Sequence, residues 1–457
     1  MIELRLKNGE DVLLTPIRKD NNQYELVDFK NSVCMIFEII NSTIKVIDYK
    51  KVDNTQLDLM ERLDTLVVSI LESEQSGVEN NENDDKFDIT PYNPDCIKVH
   101  QKQFSIKFIE EMISTGDIDF TPDFQRHFVW NSVQKSKLIE SLLLRIPLPL
   151  FYFSEDEEGR LTIVDGLQRL TTIKEFMNNE FPLRHLEYLD EGVKDRYYKS
   201  DLKEGKIGID PKYYRWFNMT QFAVNVIDPT SPFQVKYDIF RRINTGGKPL
   251  KNQEIRNCLS SRSLRKLLVE MTKLPEFLSA TNRSVKSNRM EDQEIALRFL
   301  AFYDAYKKDS TLTTSYSGYM ESFLDETTNI YNKIDEIKHS HITDIFRNSL
   351  LNAEYLFGNK YAYRKIRKEH IGDNCRMQLL NKALFIAWSV LLANIPNSEI
   401  KEHFPEKYLL PIFAEELEND KKLMYYLSYG TNGKSNLEYI FNTIYNIINI
   451  KLNYNEI

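Results

Sequence analysis

The chain has 457 residues, 42% of them hydrophobic and 28% charged, with a formal net charge of −8 at pH 7. That length supports two or three cores, and the apolar content excludes a disordered polyelectrolyte. No apolar run reaches the roughly 18 residues needed to cross a bilayer, and the negative balance excludes a generic nucleic-acid coat.

The charge is unevenly spread. Residues 1–90 hold 10 Lys/Arg against 19 Asp/Glu, whereas residues 241–300 hold 13 against 6. A polyanion such as DNA would therefore dock on the basic 241–300 region, unless that surplus is only a solvated helix face. Cys34, Cys96, Cys258 and Cys375 lie far apart with no Cys-x-x-Cys spacing, so neither a zinc site nor a disulfide framework is expected. The opening Met-Ile-Glu-Leu-Arg lacks a secretory layout. A cytoplasmic protein without membrane contact is the expectation.

In chain order, residues 3–6, 12–17, 24–29, 33–40 and 43–48 read as short strands, with Asn8-Gly9 as a hairpin turn between the first two. Residues 55–74 carry helical periodicity through Leu57, Met60, Leu63, Leu66, Val67 and Ile70. Residues 73–88 are rich in Glu, Asn, Asp and Ser and read as a solvated linker. These features predict a small β-rich domain over 1–75 and an acidic linker over 76–91. In the next unit, over 92–250, helices are predicted at 104–113, 133–144, 167–177 and 233–243, and strands at 150–153, 161–164 and 222–227. From 251 to 457 nearly everything reads as helix: 253–273, 290–307, 317–335, 343–357, 376–394 and 434–450. The fold class is α+β, with a mostly α-helical C-terminal region.

The segment Leu161-Thr-Ile-Val-Asp-Gly-Leu-Gln-Arg-Leu-Thr-Thr-Ile173 is the most pointed chemical signal. A strand stops at Asp165-Gly166 and a helix begins at once. A helix N-terminus with free amides is a natural anion site. Gly166 would let the backbone approach a ligand, Arg169 offers a planar fork to phosphate oxygens, and Thr171 and Thr172 add hydroxyls. A nucleotide phosphate is the leading ligand.

Three further polar clusters stand out. Gln125-Arg126, with Trp130, is either a surface arginine beside a core anchor or a second guanidinium for the same phosphate. Arg241-Arg242-Ile-Asn244 closes a helix before Gly246-Gly247-Lys248, which lacks Walker spacing and the Ser/Thr after Lys. Arg242 and Asn244 are candidates at that helix end. Asn282 through Arg289 is basic and reads as a loop that either contacts nucleic-acid phosphates or is simply solvated, the second being preferred. Seven scattered histidines form no metal-binding spacing.

Taken as an ordered set, the segments 122–130, 137–147, 164–173, 240–248 and 297–301 resemble one family. It is the N-terminal domain of GmrSD-type modification-dependent restriction enzymes, which also occurs in the SspE group of phage-defence proteins. That domain belongs to the ParB-like superfamily and carries an Asp-Gly-Gln-Gln-Arg signature. The resemblance spans roughly residues 95–400. It implies a ParB-like α+β core with a helical subdomain, and binding and hydrolysis of a nucleoside triphosphate at the signature. Asp165, Gln168 and Arg169 match the signature as catalytic residues. Gln125 and Arg126 match an upstream Gln-Arg, and Arg242 and Asn244 an Arg-Ile-Asn element, as nucleotide-binding residues with Gly166, Thr171 and Thr172. Leu167 departs from the signature, which often has Gln there.

The stretch after residue 400 is too short for the His-Asn-His nuclease domain of GmrSD-type enzymes, and His403 stands alone. DNA cleavage by this chain by itself is therefore not expected. The resulting expectation is an NTP-hydrolysing component of a bacterial antiphage system, with Mg²⁺ at the phosphates and a separately encoded effector protein as partner. The alternative is a non-hydrolysing adaptor that responds to nucleotide or DNA and regulates a separate nuclease or ATPase. A ParB-like DNA nickase ranks third, since no metal-ligand cluster is visible.

Overall fold

The computed structural model describes residues 2–19, 22–28, 32–79, 97–120, 130–243, 250–312, 314–372 and 375–452. The chain divides into two compact units, one made of Met1–Asp88 with Arg262–Ile457 and the other of Ile89–Ser261.

The chain opens with β1 (Ile2–Arg5), β2 (Asp11–Arg18), β3 (Gln23–Val27), β4 (Val33–Ile40) and β5 (Thr43–Asp48), an antiparallel meander in that spatial order. All five strands fall where the sequence predicted them, to within one or two residues at their ends. Leu4, Leu14, Leu26 and Phe37 are fully buried on one face, and α1 (Leu59–Ser76) covers it with Leu63, Leu66 and Val67. The helix closes on Gly77, whose φ is 76° and whose N–H donates to Ser73 O at 2.9 Å. A Cβ at Gly77 would lie 1.9 Å from Ser284 O, so only glycine fits.

The predicted start of the linker is corrected here: Ser73–Ser76 continue the helix. Val78 is 1% exposed, belongs to the core of the C-terminal helices and bridges Leu380. Glu79 N donates to Leu380 O at 2.8 Å. One valine at the right register outweighs the polar composition around it, which is why composition alone placed the boundary too early.

The second unit contains β6 (Val99–Ser105), α2 (Ile106–Thr115), β7 (Ile118–Asp119), α3 (Ser132–Leu143), β8 (Phe151–Glu155), β9 (Leu161–Asp165), α4 (Leu167–Met177), α5 (Pro211–Met219), β10 (Gln221–Ile227), α6 (Phe233–Ile243) and α7 (Asn252–Leu259). The sheet runs β6-β10-β8-β9-β7. It is mixed: β10 is parallel to β8 and antiparallel to β6, β8 is antiparallel to β9, and β7 is parallel to β9. Its core gathers Phe151, Phe153, Ile163, Leu170, Phe176, Phe217, Val224 and Val226.

Sequence periodicity did not reveal β6, whose residues VHQKQFS are mostly exposed on a sheet edge, so no apolar alternation marks it. Helix α5 is aromatic-rich rather than regularly periodic and was also missed. Inside this unit Glu140 of α3 is 3% exposed. Its carboxylate accepts from the backbone N–H groups of Glu187 (3.0 Å), Tyr188 (2.7 Å) and Leu189 (2.9 Å).

The remaining helices complete the first unit: α8 (Arg262–Lys273), α9 (Pro275–Ala280), α10 (Glu291–Lys308), α11 (Met320–Tyr331), α12 (Glu336–Phe357), α13 (Lys382–Leu391), α14 (Asn397–His403), α15 (Leu409–Asn419), α16 (Lys421–Tyr426) and α17 (Lys434–Leu452). The single helix predicted over 253–273 is two, because Ser260 adopts extended backbone (ψ 144°) and turns its hydroxyl back to Arg256 O at 2.8 Å. Helix α13 is buried on every side, Trp388 included. Among the described residues, no helix is long and apolar enough to cross a membrane.

Candidate functional site

Strands β8 and β9 set the position of the Asp-Gly corner. Tyr152 pairs with Asp165, and a register shift separates that pair from the regular ladder beginning at Phe153 and Ile163. Asp165 is thus the last residue of β9, Gly166 takes φ 103° at the helix boundary, and α4 begins at Leu167. This is the strand–turn–helix layout read from the sequence. No side chain caps the α4 N-terminus, so the electropositive end of an 11-residue helix is left without an internal acceptor from a cap.

The reason for glycine at position 166 is internal. A Cβ built there would sit 2.3 Å from Phe151 Cδ1 and 3.3 Å from Arg169 Nη2. Its absence makes room for this protein's own ring and guanidinium.

Arg169 is held on several sides. Nη1 donates to Pro149 O, and Nη2 donates to Leu150 O at 3.2 Å and to Asp165 Oδ2 at 2.6 Å. Its Cζ lies 4.3 Å from the centroid of the Phe151 ring. The side chain is 11% exposed and that of Asp165 35%. Burial lowers the Arg169 pKa below the usual guanidinium value, and the Asp165 charge opposes that shift. A guanidinium held over an aromatic ring while donating to two carbonyls and a carboxylate is a rigid arrangement.

The other predicted residues are dispersed around this corner. Gln168 and Thr171 are half-buried on the first turns of α4. Thr172 is fully buried, and its hydroxyl donates to Gln168 O at 2.9 Å. Arg242 is exposed in the last turn of α6. Helices α6 and α7 both pack against β9, the strand that ends in Asp165. Gln125, Arg126 and Asn244 lie outside the described residues. Of the basic 241–300 region, Arg256, Arg265 and Arg298 are buried, so part of its positive surplus lies in cores rather than on a surface. Among the described residues, no group of three His, Cys, Asp or Glu could hold a metal ion.

Sequence reasoning missed Phe151 and the carbonyls of Pro149 and Leu150. The available signal was Pro147-Leu-Pro149, which forces extended backbone immediately before a strand. Which carbonyls would turn toward an arginine twenty residues later leaves no mark in a sequence.

Neither a curated protein nor a solved structure matches the chain. Residues 109–260 match a family model, described as the GmrSD restriction endonuclease, N-terminal domain. That segment takes in α3, β8, β9, α4, β10, α6 and the Asp-Gly corner, and over that length the chain is similar to the GmrSD N-terminal domain.

Proposed function

We propose that the Ile89–Ser261 unit binds and hydrolyses a nucleoside triphosphate at the β9–α4 corner, within a restriction-like phage-defence system. The observation that carries this reading is the uncapped α4 N-terminus beside a carboxylate already paired to an arginine. Backbone amides there would receive phosphate oxygens, and Gln168 would orient the attacking water. Asp165 would accept a hydrogen bond from that water, since phosphoryl transfer needs mainly positioning and charge neutralisation. The defence setting comes from the family that residues 109–260 match, whose description is that of a restriction enzyme.

A divalent cation fits only in one manner. Asp165 Oδ2 is engaged by Arg169, and a single carboxylate is too little for an ion caged by protein alone. Mg²⁺ commonly takes one or two carboxylates, with phosphate oxygens and water filling the rest of its shell. Asp165 would then contribute one ligand to an ion that arrives with the triphosphate.

Phosphate release by the full chain, measured with each of the four ribonucleoside triphosphates, tests this. Wild type should turn over at least one of them and Asp165→Ala should not. Equal background rates in both proteins would end the enzymatic reading. Binding of a triphosphate without turnover would leave the adaptor in its place.

A further inference from the structure

We infer that Arg169 is a positioning residue: it fixes the Asp165 carboxylate and the Pro149–Leu150 backbone, and Asp165 is the side chain that faces the ligand. The inference rests on the proposed nucleotide site but assigns Arg169 a role different from that of a phosphate ligand.

Three of the five N–H bonds of the guanidinium point at acceptors of the protein itself: Pro149 O, Leu150 O and Asp165 Oδ2. One face of its plane lies against Phe151. To turn those three N–H groups onto an incoming phosphate, Arg169 would have to abandon two backbone carbonyls and break its ion pair. Each of those acceptors would lose a charged donor and be left with water in its place. Asp165 has the opposite character. Its side chain is about three times as exposed (35% against 11%) and Arg169 engages only its Oδ2 among the described contacts.

The clamp also reaches beyond the carboxylate. Ile146 and Leu150 are 49% and 39% exposed, yet the backbone between Pro149 and Phe151 is tied to α4 through a single side chain. Gly166 completes the assembly, because a Cβ there would strike Phe151 and crowd Arg169 at once. Strand end, helix start, ring and proline segment therefore share one guanidinium as their common tie.

The test compares wild type, Arg169→Lys and Phe151→Leu as full-length proteins. Phe151→Leu removes the stacking partner without touching any group proposed to contact the ligand. Lysine keeps the charge but cannot reproduce the fork. The first readout is amide hydrogen exchange over residues 150–153 and 165–169 with no ligand added. Both variants should exchange at least tenfold faster there, and unchanged exchange in Arg169→Lys would overturn the clamp.

The second readout is calorimetric binding of inorganic tripolyphosphate, which needs no base recognition, together with kcat and KM for the preferred nucleotide. A positioning role predicts a tripolyphosphate Kd within about threefold of wild type and a kcat at least tenfold lower in both variants. A direct ligand role predicts the reverse for Arg169→Lys: a Kd raised by more than thirtyfold, with no effect in Phe151→Leu. Failure of wild type to bind tripolyphosphate or any nucleotide would remove the proposed function, while the exchange measurement would still decide the clamp.

Discussion

Gly166→Ala separates a backbone requirement from a steric one. With φ at 103°, an alanine at this position is strained by roughly 1–2 kcal/mol before any contact is counted. Its methyl would also sit 2.3 Å from Phe151 Cδ1, and overpacking of that severity costs about 1–3 kcal/mol. The combined expectation is a loss of roughly 2–5 kcal/mol. Gly116 is an internal control in the same unit: its φ is 87°, and a Cβ there would meet nothing within 4 Å. Gly116→Ala should therefore cost only the backbone part, roughly 1–2 kcal/mol.

Urea denaturation followed by tryptophan fluorescence in a Trp388→Phe background leaves Trp130 and Trp216, both in the Ile89–Ser261 unit. If the ring is the obstacle, Phe151→Leu in combination with Gly166→Ala should recover at least 1 kcal/mol relative to additivity. Equal losses for Gly166→Ala and Gly116→Ala, or strict additivity with Phe151→Leu, would refute the packing argument.

Other parts of the molecule make separate predictions. Glu140→Gln replaces a carboxylate that three consecutive amides share with a single carbonyl acceptor, and should cost about 2 kcal/mol. Faster amide exchange at residues 187–189 reports it, and unaltered exchange would show that the carboxylate does not hold that loop. Lys382→Met removes the cation between Glu291 (2.8 Å) and Glu294 (3.0 Å), all three largely buried, and should destabilise the helical region by roughly 3–5 kcal/mol, read by chemical denaturation. His370 Nδ1 accepts from Arg367 N–H at 3.2 Å, and burial holds the His370 pKa below its ordinary value. The unfolded chain therefore binds this proton more readily, so stability is complete above the unfolded pKa of about 6.5 and is lost as pH falls through the folded one. Melting temperatures at pH 7.5 and 5.5 should drop more in wild type than in His370→Gln, and equal drops would discard this linkage.

What could be read from the sequence follows the strength of each local signal. The five strands of the meander were visible because each is a short run containing apolar and β-branched residues and a strong turn dipeptide, Asn8-Gly9, separates the first two. The β9–α4 corner was visible because its period changes from two to 3.6 at Asp165-Gly166. Edge strand β6 was not, since VHQKQFS is exposed along most of its length and carries no apolar alternation. The attachment of Val78 to the C-terminal helices depends on Leu380, some three hundred residues away, and no local pattern encodes such a pairing. At the site, residue types were legible while their loyalties were not. Arg169 reads as an ideal phosphate fork until the carbonyls of Pro149 and Leu150 appear beside it, and Thr172 reads as a hydroxyl donor until its bond to Gln168 O shows where that donor goes.

The same distinction explains how a carboxylate can stand at an anion site. An isolated Asp165 about 5 Å from a phosphate would repel it by roughly 3 kcal/mol at an effective dielectric constant near 20. That exceeds the roughly 0.3–2 kcal/mol that a helix N-terminus contributes. Paired at 2.6 Å with Arg169, the carboxylate presents close to zero net charge to its surroundings while the exposed part of its side chain remains a hydrogen-bond acceptor. The arginine thus supports anion binding by neutralising its neighbour, without contacting the ligand. On this account Asp165→Asn is gentler on binding than Arg169→Ala. The asparagine loses the acceptor strength needed to orient a nucleophile but brings no unpaired negative charge, whereas loss of the arginine exposes one directly beside the phosphates.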